Sequence, residues 1–268
     1  MNERPALDTT ALRDGLTGLP WQCVDVVEET GSTNADLLAR AAAGEDIAGA
    51  VLFAEYQNAG RGRHGRTWTA PPRSQLVVSF GVDAAAVPTS AWGWLPLTTG
   101  LAVLDALDEV AGVNAGLKWP NDVLAGPPAS AGKLAGILAE VASPAQVIVV
   151  GLGLNVTMTA QEAPDPRATS LAQLGATELD RTMLGRALLR HLATRLDSWR
   201  RSDPALADDY RARSMTVGSR VRAILPGDRT VEGVADSVDE LGRLVIDTGA
   251  GPVMVSAGDI THLRPLES

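Results

Sequence analysis

Two apolar runs, Leu134 to Val141 and Gln146 to Val156, are separated by only Ala142-Ser143-Pro144-Ala145. A connection that short permits an antiparallel hairpin, whereas a parallel crossover needs about a dozen residues or more. The pair therefore predicts a central sheet that is antiparallel or mixed. It also bears on Gly151-Leu-Gly153-Leu-Asn155, which looks like a dinucleotide-binding fingerprint. The third glycine is missing, and the run reads as a strand rather than a strand-to-helix turn. The expected class is thus α/β in the broad, α+β sense, and a Rossmann reading is disfavoured.

Other elements follow from local pattern. Trp21 to Val27, Ala50 to Glu55 and Leu76 to Val82 read as strands. A helix over Asn34 to Ala43 has Ser32 or Thr33 as its N-cap, whose hydroxyl can satisfy a free backbone N–H. Leu97, Leu101, Leu104, Leu107 and Ala111 mark a buried helix with Pro96 ahead and Gly112 behind. Thr182 to Trp199 is amphipathic, with Leu184, Leu188, Leu192 and Leu196 on one stripe, and His191 reads as a residue of its surface. Beyond Ser202 the pattern changes to short strands near Arg222 to Leu225, Thr230 to Val238, Leu241 to Asp247 and Pro252 to Val255, with turns at Pro226-Gly227, Gly242 and Gly249. That spacing predicts a small β-barrel. The expected organisation is a flexible segment over 1–20, a main domain over 21–213 and a C-terminal domain over 214–268.

Composition excludes several function classes. A formal net charge of −9 opposes a main role in binding nucleic acid or anionic membrane, which need a positive field. The single cysteine, Cys23, rules out an intramolecular disulfide and a cysteine cluster, and the three histidines are scattered. No apolar leader precedes Pro20, and Glu140, Pro144 and Gln146 interrupt the most apolar stretch, so the expectation is a soluble cytoplasmic protein. Of 23 basic residues only Lys118 and Lys133 are lysine. Where arginine is the default cation, two retained ammonium groups point to sites that do not accept a guanidinium.

Three segments carry chemistry. Gln57-Asn-Ala-Gly60-Arg61-Gly62-Arg63-His64-Gly65-Arg66-Thr67-Trp68 is a poor helix and a poor strand. Its glycines let backbone N–H groups turn inward and its guanidiniums supply forked donors, which suits phosphate. A solvated surface loop is the plain alternative, and a terminal, repetitive RNA-binding tail fits less well. Lys118-Trp-Pro-Asn-Asp122 is either a ligand-facing turn or an ordinary strand end; its own residues leave both open. Gly132-Lys133-Leu-Ala-Gly136 sets a lysine at the entrance to an apolar strand.

Taken in order with Gly31-Ser-Thr-Asn34, Gly151-Leu-Gly-Leu-Asn155 and Ala168-Thr-Ser-Leu171, these segments resemble the biotin protein ligases, and their wording resembles actinobacterial and mycobacterial members. The resemblance implies a catalytic domain similar to class II aminoacyl-tRNA synthetases and a C-terminal SH3-like β-barrel. It implies activation of biotin by ATP, with Mg2+ accompanying the ATP and no protein metal cluster, then transfer to a lysine of a biotin carboxyl carrier domain of acyl-CoA carboxylase or pyruvate carboxylase. By the same resemblance Ser32, Thr33, Asn34, Gln57, Arg61, Gly62, Arg63, Lys133 and Gly136 would hold biotin. Arg61, Arg63, Gly65, Arg66, Trp68, Asn121, Lys133 and Asn155 would meet ATP or the adenylate. Lys133, Arg63 and Asp122 would be the catalytic residues, and His64 receives no catalytic role. The pattern starts near Trp21, leaving too few residues ahead of it for the DNA-binding domain of bifunctional members. A lipoate- or octanoyl-transferring ligase and a non-catalytic biotin-sensing or nucleic-acid-binding protein are the competing readings; homodimerisation stays open.

Overall fold

The computed structural model describes residues 4–262 except 15, 128–129, 144–145, 226–228 and 257–258. Its centre is a seven-stranded mixed sheet. The strands are β1 (Cys23–Thr30), β2 (Ala50–Gln57), β3 (Gln75–Asp83), β4 (Ala115–Lys118), β5 (Asp122–Ala125), β6 (Gly132–Ala142) and β7 (Val147–Asn155), in spatial order β1-β2-β3-β7-β6-β5-β4. Only β1 and β2 are parallel, joined through helix α2 (Thr33–Ala42); every other neighbouring pair is antiparallel. The expected hairpin is β6–β7, in register from Ala142 opposite Val147 to Ala135 opposite Leu154. Its connecting Pro144-Ala145 lies outside the described residues.

The sheet is covered on both faces, which explains why β7 reads as an unbroken apolar run. On one face Ile148, Val150, Leu152 and Leu154 join the main core with helices α3 (Leu95–Val110) and α4 (Arg181–Arg200). On the other, Val149 packs with Leu37 and Ala41 of α2. Strand alternation puts Gly151 and Gly153 on this second face, beyond the end of α2. At these two positions the sheet floor has no side chain, and a cleft opens above it.

The described residues of 4–20 differ from expectation. Helix α1 (Thr9–Asp14) is present, and Leu7, Leu12 and Leu16 are buried in the main core. Arg181 donates to Pro5 O (2.6 Å) and pairs with Glu55 (2.7 Å), whose other oxygen accepts the Leu7 N–H (2.6 Å). Three leucines and a buried ion pair hold a segment that sequence periodicity left loose, because its apolar residues are too few to show a period.

Helix α5 (Ala205–Arg213) leads into the C-terminal unit, where β8 (Arg220–Leu225), β9 (Arg229–Val238), β10 (Leu244–Asp247), β11 (Pro252–Val255) and β12 (Asp259–His262) form an antiparallel sheet in the order β11-β10-β9-β8-β12. Among the described residues the outer strands β11 and β12 do not pair, so what is seen of the expected small β-barrel is a five-stranded antiparallel sheet. The turn at Pro226-Gly227 lies outside the described residues. The unit is tied to the main domain by tryptophans: Trp94 Nε1 donates to Asp239 O, and Trp119 Nε1 to Gly242 O, each at 3.0 Å.

Candidate active site

The cleft over the glycine floor has a volume of about 1340 Å³ and runs from the N-terminus of α2 to the C-terminal sheet. At its α2 end the side chains are neutral and buried. Ser32 caps the helix, as expected, accepting from Ala35 N. Gln57 Oε1 accepts the Thr33 N–H (2.8 Å). The hydroxyls of Thr33 and Ser79 lie 2.6 Å apart, and Ser79 donates to Asn34 Oδ1 at 2.6 Å. Asn34 in turn donates to Glu140 Oε2 (2.8 Å) and Leu138 O (3.2 Å). A Cβ on Gly151 would overlap the Asn34 carboxamide, so glycine there is what lets Asn34 rest on the sheet.

The glycine/arginine segment forms a narrow hairpin of its own. Trp68 N–H donates to Gly60 O (2.9 Å) and Gly62 N–H to Arg66 O (2.7 Å), below a tip at Arg63–Gly65 where His64 has φ 56° and Gly65 φ 72°. Arg61 donates to Glu140 (3.1 Å) and Arg63 to Asn121 Oδ1 (3.2 Å). Trp68 lies across the cross-strand pair Gly136 and Gly153, where a Cβ on Gly153 would collide with its ring; its Nε1 donates to Gln75 Oε1 (3.0 Å).

Lys133 stands over this tryptophan, with Nζ 5.3 Å from the ring centroid and 2.7 Å from Asp122 Oδ1. Asp122 is the first residue of β5, opposite Gly136, so strand register delivers the carboxylate to the lysine. Asn121 donates to Ile137 O (2.9 Å), fixing the turn before it. Asn155 is buried and engaged at both ends of its carboxamide: Gln75 donates to it (2.6 Å), and it donates to Thr169 O (2.8 Å) and Lys133 O (3.3 Å). It therefore braces the cleft wall. All the expected site residues line the cleft except Gly65, which sits at the exposed loop tip beside His64.

Several lining residues had no place in the sequence reading. Ser79 and Gln75 come from β3, where a serine inside an apolar strand was the available signal. Glu140, which registered only as an interruption of an apolar run, is not itself in the wall but holds two lining residues, Asn34 and Arg61. A further wall comes from 164–168, where hydrogen bonds from the Arg167 guanidinium and N–H hold the Asp165 carboxyl down at about 2. The far wall belongs to the C-terminal unit: Thr216 Oγ1 accepts the Trp119 N–H (3.0 Å) and lies 3.0 Å from His262 Nε2. Burial, reinforced by the nearby Lys118 charge, pushes the His262 pKa down. Among the described residues no group of three or more His, Cys, Asp or Glu side chains is arranged to hold a metal ion.

Residues 28–155 match the biotin/lipoate A/B protein ligase family, and 216–263 match the biotin protein ligase C terminal domain. Over 266 residues the chain is 56% identical to the biotin--[acetyl-CoA-carboxylase] ligase of Mycobacterium tuberculosis, spanning 97% of both proteins. The chain belongs to the biotin protein ligase family. It is also 31% identical to the bifunctional ligase/repressor BirA of Escherichia coli over 229 residues, which are 84% of this chain and 69% of that protein. In three dimensions it is similar to the Aquifex aeolicus biotin protein ligase in complex with biotin and ATP, with TM-score 0.77, 26% identity and coverage of 91% of this chain and all of the other. The Leishmania major biotin protein ligase in complex with biotinyl-5-AMP gives TM-score 0.60 at 25% identity, over 91% of this chain and 99% of that one. Within this ligase family member the motifs that carried the sequence resemblance are the ones that meet around the glycine floor, although Lys118–Asp122 and Gln57–Trp68 are far apart in sequence.

Proposed function

We propose that the chain is an ATP-dependent biotin–[acetyl-CoA-carboxylase] ligase. A carboxylate oxygen of biotin attacks the α-phosphorus of ATP, forming biotinyl-5′-adenylate and expelling pyrophosphate. The ε-amine of one lysine on a biotin carboxyl carrier domain, of acyl-CoA carboxylase or pyruvate carboxylase, then attacks the activated carbonyl carbon. An amide forms, the bond to AMP breaks and the amine gives up a proton. The observation that carries this reading is a single cleft in which a neutral, buried hydrogen-bonding end adjoins a cationic end. A fused ureido ring needs the first, and a polyphosphate needs the second.

In this reading Ser32, Thr33, Asn34 and Gln57 meet the ureido group. Arg61, Gly62, Arg63 and Arg66 attract the phosphates, and Trp68 provides an aromatic wall. Lys133 stabilises the charge that builds as the P–O bond forms. Asp122 holds that ammonium in place and is the carboxylate positioned to accept the proton of the incoming amine. Closure of 60–66 over the adenylate keeps water from hydrolysing the anhydride. The two carboxylates that line the cleft are paired, Asp122 with Lys133 and Asp165 with Arg167, and so is Glu140 behind it, with Arg61. This donor set fits a Mg2+ ion held chiefly by ATP phosphates and water, for which Asp122 would be the protein carboxylate available. When bound, such an ion would neutralise charge on the leaving pyrophosphate.

The catalytic domain is read as 21–213, similar to class II aminoacyl-tRNA synthetases, and 214–268 as an SH3-like unit. The ligase is read as cytoplasmic, and no helix among the described residues is long and apolar enough to cross a membrane. Mass spectrometry of a biotin carboxyl carrier domain incubated with the protein, biotin and MgATP is expected to show the addition of one biotin. No addition, or addition only when lipoate replaces biotin, would overturn the proposal.

A further inference from the structure

We propose that Glu140 governs how readily Arg61 engages the nucleotide, and that through Asn34 it links this engagement to the biotin end; the inference rests on the adenylating function just described. Glu140 lies on β6, opposite Val149 of β7. A single carboxylate oxygen, Oε2, accepts hydrogen bonds from Arg61 Nη2 (3.1 Å) and Asn34 Nδ2 (2.8 Å). One atom therefore holds a residue from each end of the cleft.

The two partners are not equally free to leave. Asn34 is 4% exposed, and both ends of its carboxamide are engaged, Oδ1 by Ser79 and Nδ2 by Glu140 and Leu138. The Arg61 side chain is 43% exposed and sits on a hairpin that leaves the sheet. When an α-phosphate arrives, Arg61 chooses between it and Glu140. The phosphate presents more acceptor oxygens, and the carboxylate oxygen is already shared with Asn34. The exchange favours the phosphate, but against a standing attraction to Glu140. Glu140 thus weakens nucleotide binding relative to a neutral residue at the same position. In return its carboxylate holds the Asn34 carboxamide in the orientation the biotin end presents, and once Arg61 has left, that oxygen serves Asn34 alone.

The two functions of the side chain separate by substitution. Glu140→Gln keeps an oxygen for Asn34 and removes the charge that holds Arg61; Glu140→Ala removes both. In ATP–pyrophosphate exchange, Glu140→Gln is expected to lower KM for ATP about two- to fivefold, the range of a partly exposed ion pair, with KM for biotin changed less than about twofold. Glu140→Ala is expected to raise KM for biotin as well, and if it fails to fold, the glutamine variant carries the test alone. The double-mutant cycle decides the route: in an Arg61→Ala background, Glu140→Gln is expected to leave KM for ATP unchanged. An unchanged or raised KM for ATP in Glu140→Gln overturns the proposal, because Glu140 would then be helping Arg61 onto the phosphate. An equal fall in both backgrounds also overturns it, because the carboxylate would then act only through its field. Absence of exchange in the wild-type chain would instead sink the ligase reading, and this inference with it.

Discussion

The two ends of the cleft are built on opposite plans. At the α2 end Thr33, Asn34, Ser79 and Gln57 are neutral, largely buried and bonded to one another at 2.6–3.1 Å. At the other end Lys133, Arg61 and Arg63 stand half-exposed, and each holds a partner from the chain itself: Asp122, Glu140 and Asn121. A neutral network in a dry pocket gains from rigidity, since a misplaced donor there goes unpaired. Cations awaiting a polyphosphate gain from partners they can leave. Under the proposed function, the difference implies that the biotin end is preorganised, whereas the phosphate end works by exchanging partners.

Lys133→Arg tests the charged end most severely. The ammonium is confined between Asp122, the Trp68 ring and the Gly136 backbone, where a Cβ on Gly136 would already lie 3.3 Å from Nζ. A guanidinium keeps the charge but is too wide for that gap. Adenylation is expected to fall about 10²–10³-fold, the loss typical of removing one preorganised stabilising group, while biotin still binds by calorimetry. Pyrophosphate release near the wild-type rate would show that any cation suffices here, and the charged end would then be simpler than described.

Gly151→Ala probes the rigid end. Its new methyl would overlap Asn34, which cannot yield without losing Ser79, Leu138 or Glu140. Overpacking of this kind costs about 1–3 kcal/mol. Biotin affinity is expected to drop about tenfold, equivalent to about 1.4 kcal/mol, with KM for ATP changed less than about threefold. Equal losses for both substrates would mean that the two ends move together.

Much of this was legible in the chain. The four-residue link between two apolar runs predicted the β6–β7 hairpin, and the motif order predicted which segments meet. What escaped was short or non-periodic. Strands β4 and β5 are four residues each, either side of Pro120, too brief to display alternation. The segment before Cys23 docks through isolated leucines. The glycines of 151–155 were visible, but their use was not: strand parity alone cannot say that the side-chain-free face lies under Asn34 and Trp68. Glu140 and Ser79 were hidden for a related reason, because a single polar residue in an apolar strand acquires meaning only from what faces it.

The smallest expected effect lies at the outer wall of the charged end, where the C-terminal sheet meets the Lys118–Asp122 turn. Thr216 Oγ1 accepts the Trp119 N–H and shares a hydrogen bond with Nε2 of His262, whose direction follows the imidazole tautomer. Burial, then the Lys118 charge, lowers the folded-state pKa of this histidine below the ordinary 6.5. As pH falls through 6.5 the unfolded chain takes up a proton that the folded chain resists, so stability declines and continues to decline until the folded pKa is passed; above 6.5 the full contribution is present. Melting temperature should therefore drop slightly over that acid window, and His262→Gln should flatten the drop. If His262→Gln leaves the slope untouched, the acid sensitivity originates elsewhere, and the wall that the C-terminal sheet lends to the phosphate end is indifferent to protonation.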